Sequence, residues 1–200
     1  LKVISQKQGM RAYIAVAGGI DVPEVQGSRS TNLKLKLGGW QGRKLLAGDI
    51  LPMGKPEADS RKMLAGQLAL PQAQGICTGL QEKLSQQEPL VIRIVLGPQQ
   101  EYFSPLELEK FAQEIYTISN DADRMGYRLE GRPVAKRLQQ DLITDGIVFG
   151  SIQIPPNGQP IIMLADHQTT GGYPKIATVA TVDLPLLAQA MPGRKIQFAF

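Results

Sequence analysis

Glycine and proline cut this chain before any apolar run can grow long. The 21 glycines and 14 prolines fall between short stretches rich in β-branched and aromatic residues. Proline removes a backbone donor and glycine supplies turn conformations, so such punctuation favours many short strands over long helices. Residues 89–96 (PLVIRIVL) read as a buried strand that stops at Gly97-Pro98. Residues 10–16 read as another, closed by Gly18-Gly19, and residues 44–53 as a hairpin arm turning at Gly48-Asp49. Further strand-like pieces lie at 127–129, 146–154, 160–165, 176–182 and 195–200, with Pro155-Pro156-Asn157-Gly158 as a hairpin connection.

One segment breaks this pattern. Ser104 precedes Pro105 and stands three residues before Glu107, a capping-box signature. Leu108, Phe111, Ala112 and Ile115 then share one helical face, which predicts a core-packing helix over 105–116. A second, shorter helix is expected at 183–190, ended by Pro192-Gly193. Many short strands with one or two helices favour a mainly β chain, a β-barrel with helical caps. Between residues 54 and 88 order weakens, and Pro56 and Pro71 interrupt short Ala/Leu pieces. This stretch reads as a connection or exposed insertion. It holds Cys77, and a lone cysteine in such a segment is more often incidental than nucleophilic.

Composition narrows the function classes. A hydrophobic content of 42% with 20% charged residues describes a soluble globular chain, long enough to bury a core. The 22 Lys and Arg against 18 Asp and Glu are scattered, with no basic block interleaved with aromatics, so nucleic acid is not an expected partner. No run approaches the roughly 18 apolar residues of a membrane helix, and no membrane partner is expected. A single cysteine excludes an intrachain disulfide and suits a reducing compartment, so a cytoplasmic location is expected. The first residue is Leu1, which suggests a fragment or a processed product.

Two polar clusters could carry chemistry. The apolar run 160–164 delivers Asp166, His167, Gln168, Thr169 and Thr170 onto the Gly171-Gly172 turn, followed by Tyr173 and Lys175. A strand end that presents polar groups at a glycine turn can form a site, or can be an ordinary polar loop. The second cluster is Gly27-Ser28-Arg29-Ser30-Thr31-Asn32, where a planar guanidinium among hydroxyls suits a carboxylate or phosphate. Its bland reading is a surface loop with a solvated arginine. Asp121-Ala122-Asp123-Arg124 lacks calcium-loop spacing and reads as an internal Asp–Arg pair fixing a turn. His167 is the only histidine, which rules out multi-histidine metal sites, and no metal is expected. Neither a Gly-x-Ser-x-Gly elbow nor a Gly-x-x-x-x-Gly-Lys-Ser/Thr phosphate loop is present.

Five motifs in order carry a family resemblance. They are Ala15-Val16-Ala17-Gly18-Gly19-Ile20-Asp21-Val22-Pro23, Gly27-Ser28-Arg29-Ser30-Thr31, Asp123-Arg124-Met125-Gly126-Tyr127-Arg128-Leu129-Glu130-Gly131, Gly150-Ser151-Ile152-Gln153-Ile154-Pro155 and Asp166-His167-Gln168-Thr169-Thr170-Gly171-Gly172-Tyr173-Pro174. Together they resemble the allophanate hydrolase subunit 2 family, also described as biotin-dependent carboxyltransferase, which includes KipA and the C subunit of bacterial 5-oxoprolinase. The resemblance implies cyclophilin-like β-barrels. Residues 1–54 would be the tail end of a first barrel, 55–88 a connection and 89–200 a complete second barrel. Members usually carry roughly another hundred residues ahead of this stretch.

For function, the resemblance implies a subunit, inactive alone, of an ATP-dependent 5-oxoprolinase that opens 5-oxoproline to glutamate. ATP would act in the assembled complex. The implied partners are a KipI-like 5-oxoprolinase B subunit and a third oxoprolinase subunit. Two alternatives stay open: a KipA-type regulator that antagonises a histidine-kinase inhibitor, and an allophanate hydrolase or biotin-dependent carboxyltransferase subunit acting on a urea-like amide. Amide chemistry needs donors at a carbonyl and a carboxylate at nitrogen. On that ground Asp166, Gln168 and Thr169 are the expected catalytic residues. Arg29, Ser30, Thr31, His167, Thr170, Tyr173 and Lys175 are the expected substrate-binding ones. Many relatives place arginine where this chain has His167, so no guanidinium role carries over there.

Overall fold

The structure, a computed structural model, describes residues 9–57, 84, 88–138 and 142–200. The chain divides into two compact units, Ala12–Gly75 and Leu1–Arg11 with Ile76–Phe200. Cys77 and most of the expected connection lie outside the described residues. No helix among the described residues is long and apolar enough to cross a membrane.

The larger unit is a barrel. Its elements are β1 (Leu90–Leu96), α1 (Pro105–Gln113), β2 (Ile115–Ile118), β3 (Gly126–Glu130), β4 (Asp145–Gly146), β5 (Ser151–Gln153), β6 (Ile161–Met163), β7 (Thr170–Gly171), β8 (Lys175–Val179), α2 (Leu184–Gln189) and β9 (Lys195–Ala199). Seven strands close in the order β1-β8-β5-β6-β3-β2-β9, while β4 and β7 form a separate two-stranded ribbon. Closure comes from the parallel pairing of β1 with β9, Leu90 against Ile196 through Arg93 against Ala199. A closed barrel leaves no unpaired sheet edge. The mainly β barrel with short helices is the fold class expected from the punctuation pattern.

Alternation along β1 shows how sequence becomes core. Leu90, Ile92 and Ile94 are buried while Val91 and Val95 face outward. Phe111 of α1 stacks on Phe198 of β9 at 4.7 Å between ring centres, and Tyr116 of β2 tilts against both. Ring pairs of this kind add about 0.5–1.5 kcal/mol beyond area burial. This cluster seats α1 on the barrel.

The helix is shorter than its periodicity predicts. Glu114 turns to an extended conformation (ψ 146°), and Ile115, read as the i+7 position, begins β2 and is exposed. Ser104 Oγ accepts from the Glu107 amide at 3.2 Å, as a cap should. The Glu107 carboxylate goes instead to Arg132 Nη2 (2.7 Å) and the Ala135 amide (2.9 Å). The strand expected over 146–154 splits into β4 and β5, with Gly150 at positive φ between them.

The Ala12–Gly75 unit is irregular over its described residues, with isolated bridges Ile20–Met53, Val25–Ser28 and Asn32–Leu37. The strand expected at 10–16 is absent. The 44–53 arm makes its turn, Asp49 N to Leu46 O at 3.1 Å, but pairs only through Met53. Strand propensity becomes a strand only where the backbone finds a continuous ladder partner; residues 10–16 find none among those described, and the 44–53 arm finds only the bridge at its end.

Candidate functional site

Within the Ala12–Gly75 unit lies a cavity of about 950 Å³ whose lining includes Arg29, Ser30 and Thr31. The Arg29 Nε donates to the Val22 carbonyl at 3.2 Å. Its ion pair with Glu24 is long, 3.8 Å. Nη1 thus keeps Glu24 as its ion-pair partner, and Nη2 has no partner among the described residues. Thr31 stands beside Gly39, where a side chain would run into the threonine hydroxyl and where φ is positive, so only glycine lets this wall close up.

Arg43 also lines the cavity, but its charge is already used. Both terminal nitrogens bind the Asp49 carboxylate at 2.8 Å, and Asp49 also accepts from the Leu46 amide at 2.7 Å. The Arg43 hydrogen bonds, and then the Leu46 amide, hold the Asp49 carboxyl far below the ordinary carboxylate range. Lys44 and Lys55 line the same space, and neither has a side-chain partner among the described residues. Arg29, Lys44 and Lys55 thus oppose one lining carboxylate, Asp21, while Ile14, Val22, Trp40 and Leu51 supply apolar wall. Cations with hydroxyls above apolar walls suit a small organic anion.

The barrel unit holds the other expected residues, and it does not gather them at one point. Strand β6 ends at Met163, and Asp166 follows on a turn whose amide donates to the Arg124 carbonyl at 2.9 Å. Its carboxylate takes Arg124 through both oxygens, at 2.9 and 3.0 Å, with half of the side chain exposed. Asp166 is thus a half-exposed partner of Arg124. The expected internal Asp–Arg turn pair is corrected. Asp123 Oδ1 accepts from the Met125 and Gly126 amides at 2.8 and 3.2 Å, and Arg124 reaches across to Asp166.

Beyond Asp166 the turn folds onto the ribbon. His167 Nδ1 lies 2.6 Å from the Gln168 carbonyl, and Thr169 O accepts from the Ile147 amide at 2.9 Å. Thr170 pairs with Gly146 in the ribbon. Gly171 has no room for a side chain: a Cβ there would meet Ile147 at 2.7 Å, Gln153 Nε2 at 3.0 Å and Gln168 Nε2 at 3.5 Å. The side-chain amides of Gln153 and Gln168 thus both flank Gly171. Tyr173 is exposed, and its carbonyl accepts from Gln153 Nε2 at 3.4 Å.

Lys175 departs most from its expected role of adding charge to a ligand site. It is 3% exposed, and its ammonium donates to Asp145 Oδ2 at 2.6 Å and the Gly146 carbonyl at 2.8 Å. Gln99 braces the same pair, donating to Asp145 at 3.1 Å and accepting from the Lys175 amide at 3.2 Å. Lys175 first, then the Gly146 amide and Gln99, hold the Asp145 carboxyl below its ordinary value. Asp145, Gln99, Gln153, Lys44 and Lys55 were not singled out from sequence. Asp145-Gly146 carries a weak turn signal, but nothing in spacing ties it to Lys175, 30 residues on. Among the described residues no group of three or more His, Cys, Asp or Glu gathers to hold a metal.

Known proteins place this geometry in context. The chain is 41% identical over 192 residues to the 5-oxoprolinase C subunit of Escherichia coli (strain K12), covering 96% of this chain and 56% of that protein. It is 37% identical over 202 residues to the 5-oxoprolinase C subunit of Haemophilus influenzae, covering 99% of this chain and 58% of that protein. The chain therefore spans somewhat over half the length of these curated relatives. The crystal structure of the K. lactis urea amidolyase superposes with a TM-score of 0.77 at 28% identity, over 96% of this chain and 12% of that one. These likenesses agree with the resemblance carried by the five motifs. The family model described as carboxyltransferase domain, subdomain A and B, matches residues 1–200, and the chain belongs to that family.

Proposed function

We propose that this chain is part of a 5-oxoprolinase subunit and that the Arg29 cavity receives the carboxylate of 5-oxoproline. The observation that carries this is the cavity itself, with the Arg29 guanidinium, only loosely paired with Glu24, beside the hydroxyl-bearing residues Ser30 and Thr31. The two relatives at 41% and 37% identity are both named as the C subunit of 5-oxoprolinase. Arg29 would clamp the carboxylate, Ser30 and Thr31 would complete its hydrogen bonds, and Lys44 and Lys55 would raise the local potential for anions. Asp166, Gln168 and Thr169 remain the proposed catalytic groups of the barrel unit. A carboxylate can accept from an amide N–H, and an amide and a hydroxyl can donate to a carbonyl gaining negative charge.

The reaction belongs to an assembly in this reading: a KipI-like B subunit and a third oxoprolinase subunit join the chain in the cytoplasm. ATP acts in that assembly. A second reading, carboxyl transfer to a urea-like amide, is favoured by the likeness to the urea amidolyase structure. It requires a biotin carrier protein, and full-length protein that turns over only when such a carrier is supplied would select it.

The test compares 5-oxoproline with its neutral carboxamide analogue in the full-length, assembled complex. Loss of a charge-assisted contact costs about 1.5–3 kcal/mol, so the analogue should be used ten- to a hundredfold less well. Arg29→Gln should remove that difference, because the anion then has no clamp to prefer. Equal discrimination by wild type and Arg29→Gln would place the carboxylate elsewhere.

A further inference from the structure

The β4–β7 ribbon is only two residues long on each side, Asp145–Gly146 against Thr170–Gly171. A ladder of that size does not stand by itself in water. Yet it carries the Thr169 carbonyl, bonded to the Ile147 amide, and it packs the Gln168 amide against Gly171. Something must tie it to the barrel wall.

That tie is Lys175. The residue sits on β8, a strand of the closed barrel, and its ammonium donates to two acceptors of β4: the Asp145 carboxylate and the Gly146 carbonyl. A buried ammonium is tolerated only when paired and hydrogen-bonded, so Lys175 demands these acceptors and β4 cannot drift without stranding a charge. Gln99 repeats the arrangement at smaller scale. Its side chain bridges the Lys175 amide and the Asp145 carboxylate while itself buried.

We propose that Lys175 is a positioning residue, whose buried ammonium clamps the ribbon to the barrel and thereby holds Gln168 and Thr169 in place for the reaction. This rests on the reading of those two residues as reaction groups. Lys175 acts through Asp145 and Gly146, on the strand opposite Thr170 and Gly171. Asp145 and Gln99 share the task, Asp145 as the charged end of the clamp and Gln99 as its neutral brace.

Two measurements on the full-length protein decide it. Lys175→Met fills the volume without the charge, and half-exposed Asp145 can then be solvated, so the barrel should still fold. Exchange of the Ile147 amide, which reports the Thr169 bond, should speed up about tenfold or more, while the Leu129 and Val179 amides of the barrel stay protected. In the assembled complex, kcat should fall about tenfold with KM nearly constant, since an interaction used in turnover rather than substrate binding has been weakened. Asp145→Asn, which keeps an acceptor for the ammonium, should show the same pattern with a smaller effect, and Gln99→Leu likewise. Unchanged exchange at Ile147 in Lys175→Met overturns the clamp. Faster exchange with unchanged kcat overturns its link to the reaction. If the wild-type complex forms no glutamate, the oxoprolinase reading fails by itself, and the exchange measurement still decides the clamp.

Discussion

Asp183→Ala is the substitution whose cost can be worked most directly from the structure. Asp183 is buried at the turn ahead of α2, and its carboxylate accepts three hydrogen bonds from one residue of β1. The Arg93 amide and Nε both reach Oδ2 at 2.9 Å, and Nη2 reaches Oδ1 at 2.7 Å. The next tie between the same segments is Ala180 N to Arg93 O, 2.9 Å. Truncation strands the Arg93 amide inside the barrel wall, at about 1–3 kcal/mol for an unsatisfied buried donor. The guanidinium loses its partner as well, but 53% of the Arg93 side chain is exposed, so water recovers most of that loss. A fully buried pair would cost about 3–5 kcal/mol and a surface pair under about 1. The sum expected here is about 2–4 kcal/mol. Asp183→Asn, which keeps one oxygen for the amide, should cost roughly half as much. Urea unfolding of the chain at constant slope reads both. A loss below about 0.5 kcal/mol for Asp183→Ala, the range of ordinary surface substitutions, would show that the Arg93 amide does not depend on this carboxylate, as would equal losses for the two variants.

Three further outcomes follow from other parts of the molecule. Burial works to raise the Glu107 pKa, but the hydrogen bonds from Arg132 and the Ala135 amide outweigh it and hold the carboxyl below its ordinary value. Its contribution is therefore complete above the unfolded value of about 4.3 and lost as pH falls through the lower folded value; the stability difference between wild type and Glu107→Gln should shrink between neutral pH and about pH 3, and a constant difference would contradict this. Gly171→Ala should open the packing of Ile147, Gln153 and Gln168, lowering turnover of the assembled complex with only a small drop in Tm; full turnover would mean the ribbon tolerates displacement. Asp166→Asn should leave Tm within a degree or two, because the Arg124 pair is exposed, and should abolish turnover; retained activity would reduce Asp166 to a turn contact.

The barrel was largely legible in the sequence. Strands β1, β3, β6, β8 and β9 sit where apolar runs meet glycine and proline, because turn residues stop a strand locally. Helix α1 is legible in its cap but not in its end: Ile115 fits a helical face and a strand equally well, and only the barrel, pairing it with Gln197, decides. The 10–16 strand failed because propensity cannot supply a ladder partner. At the site, Arg29, Ser30 and Thr31 are neighbours in sequence and share one cavity. The burial of Lys175 is not legible in the sequence, because position next to a polar turn does not reveal which way a strand side chain points. β8 is buried on both sides of its alternation, Lys175 and Ile176 alike, so period-2 reasoning had no exposed face to assign. Its partner Asp145 is distant in sequence, and such pairs are set by tertiary packing alone.

The most direct measurement of the central claim is glutamate formation by the reconstituted complex, assembled from the full-length protein, its B-type and third oxoprolinase partners, ATP and 5-oxoproline, with each component omitted in turn. Glutamate should appear only when all are present, and Arg29→Gln should lower kcat/KM about ten- to a hundredfold. Glutamate formed at the same rate without this protein, or at an undiminished rate with Arg29→Gln, would contradict the claim.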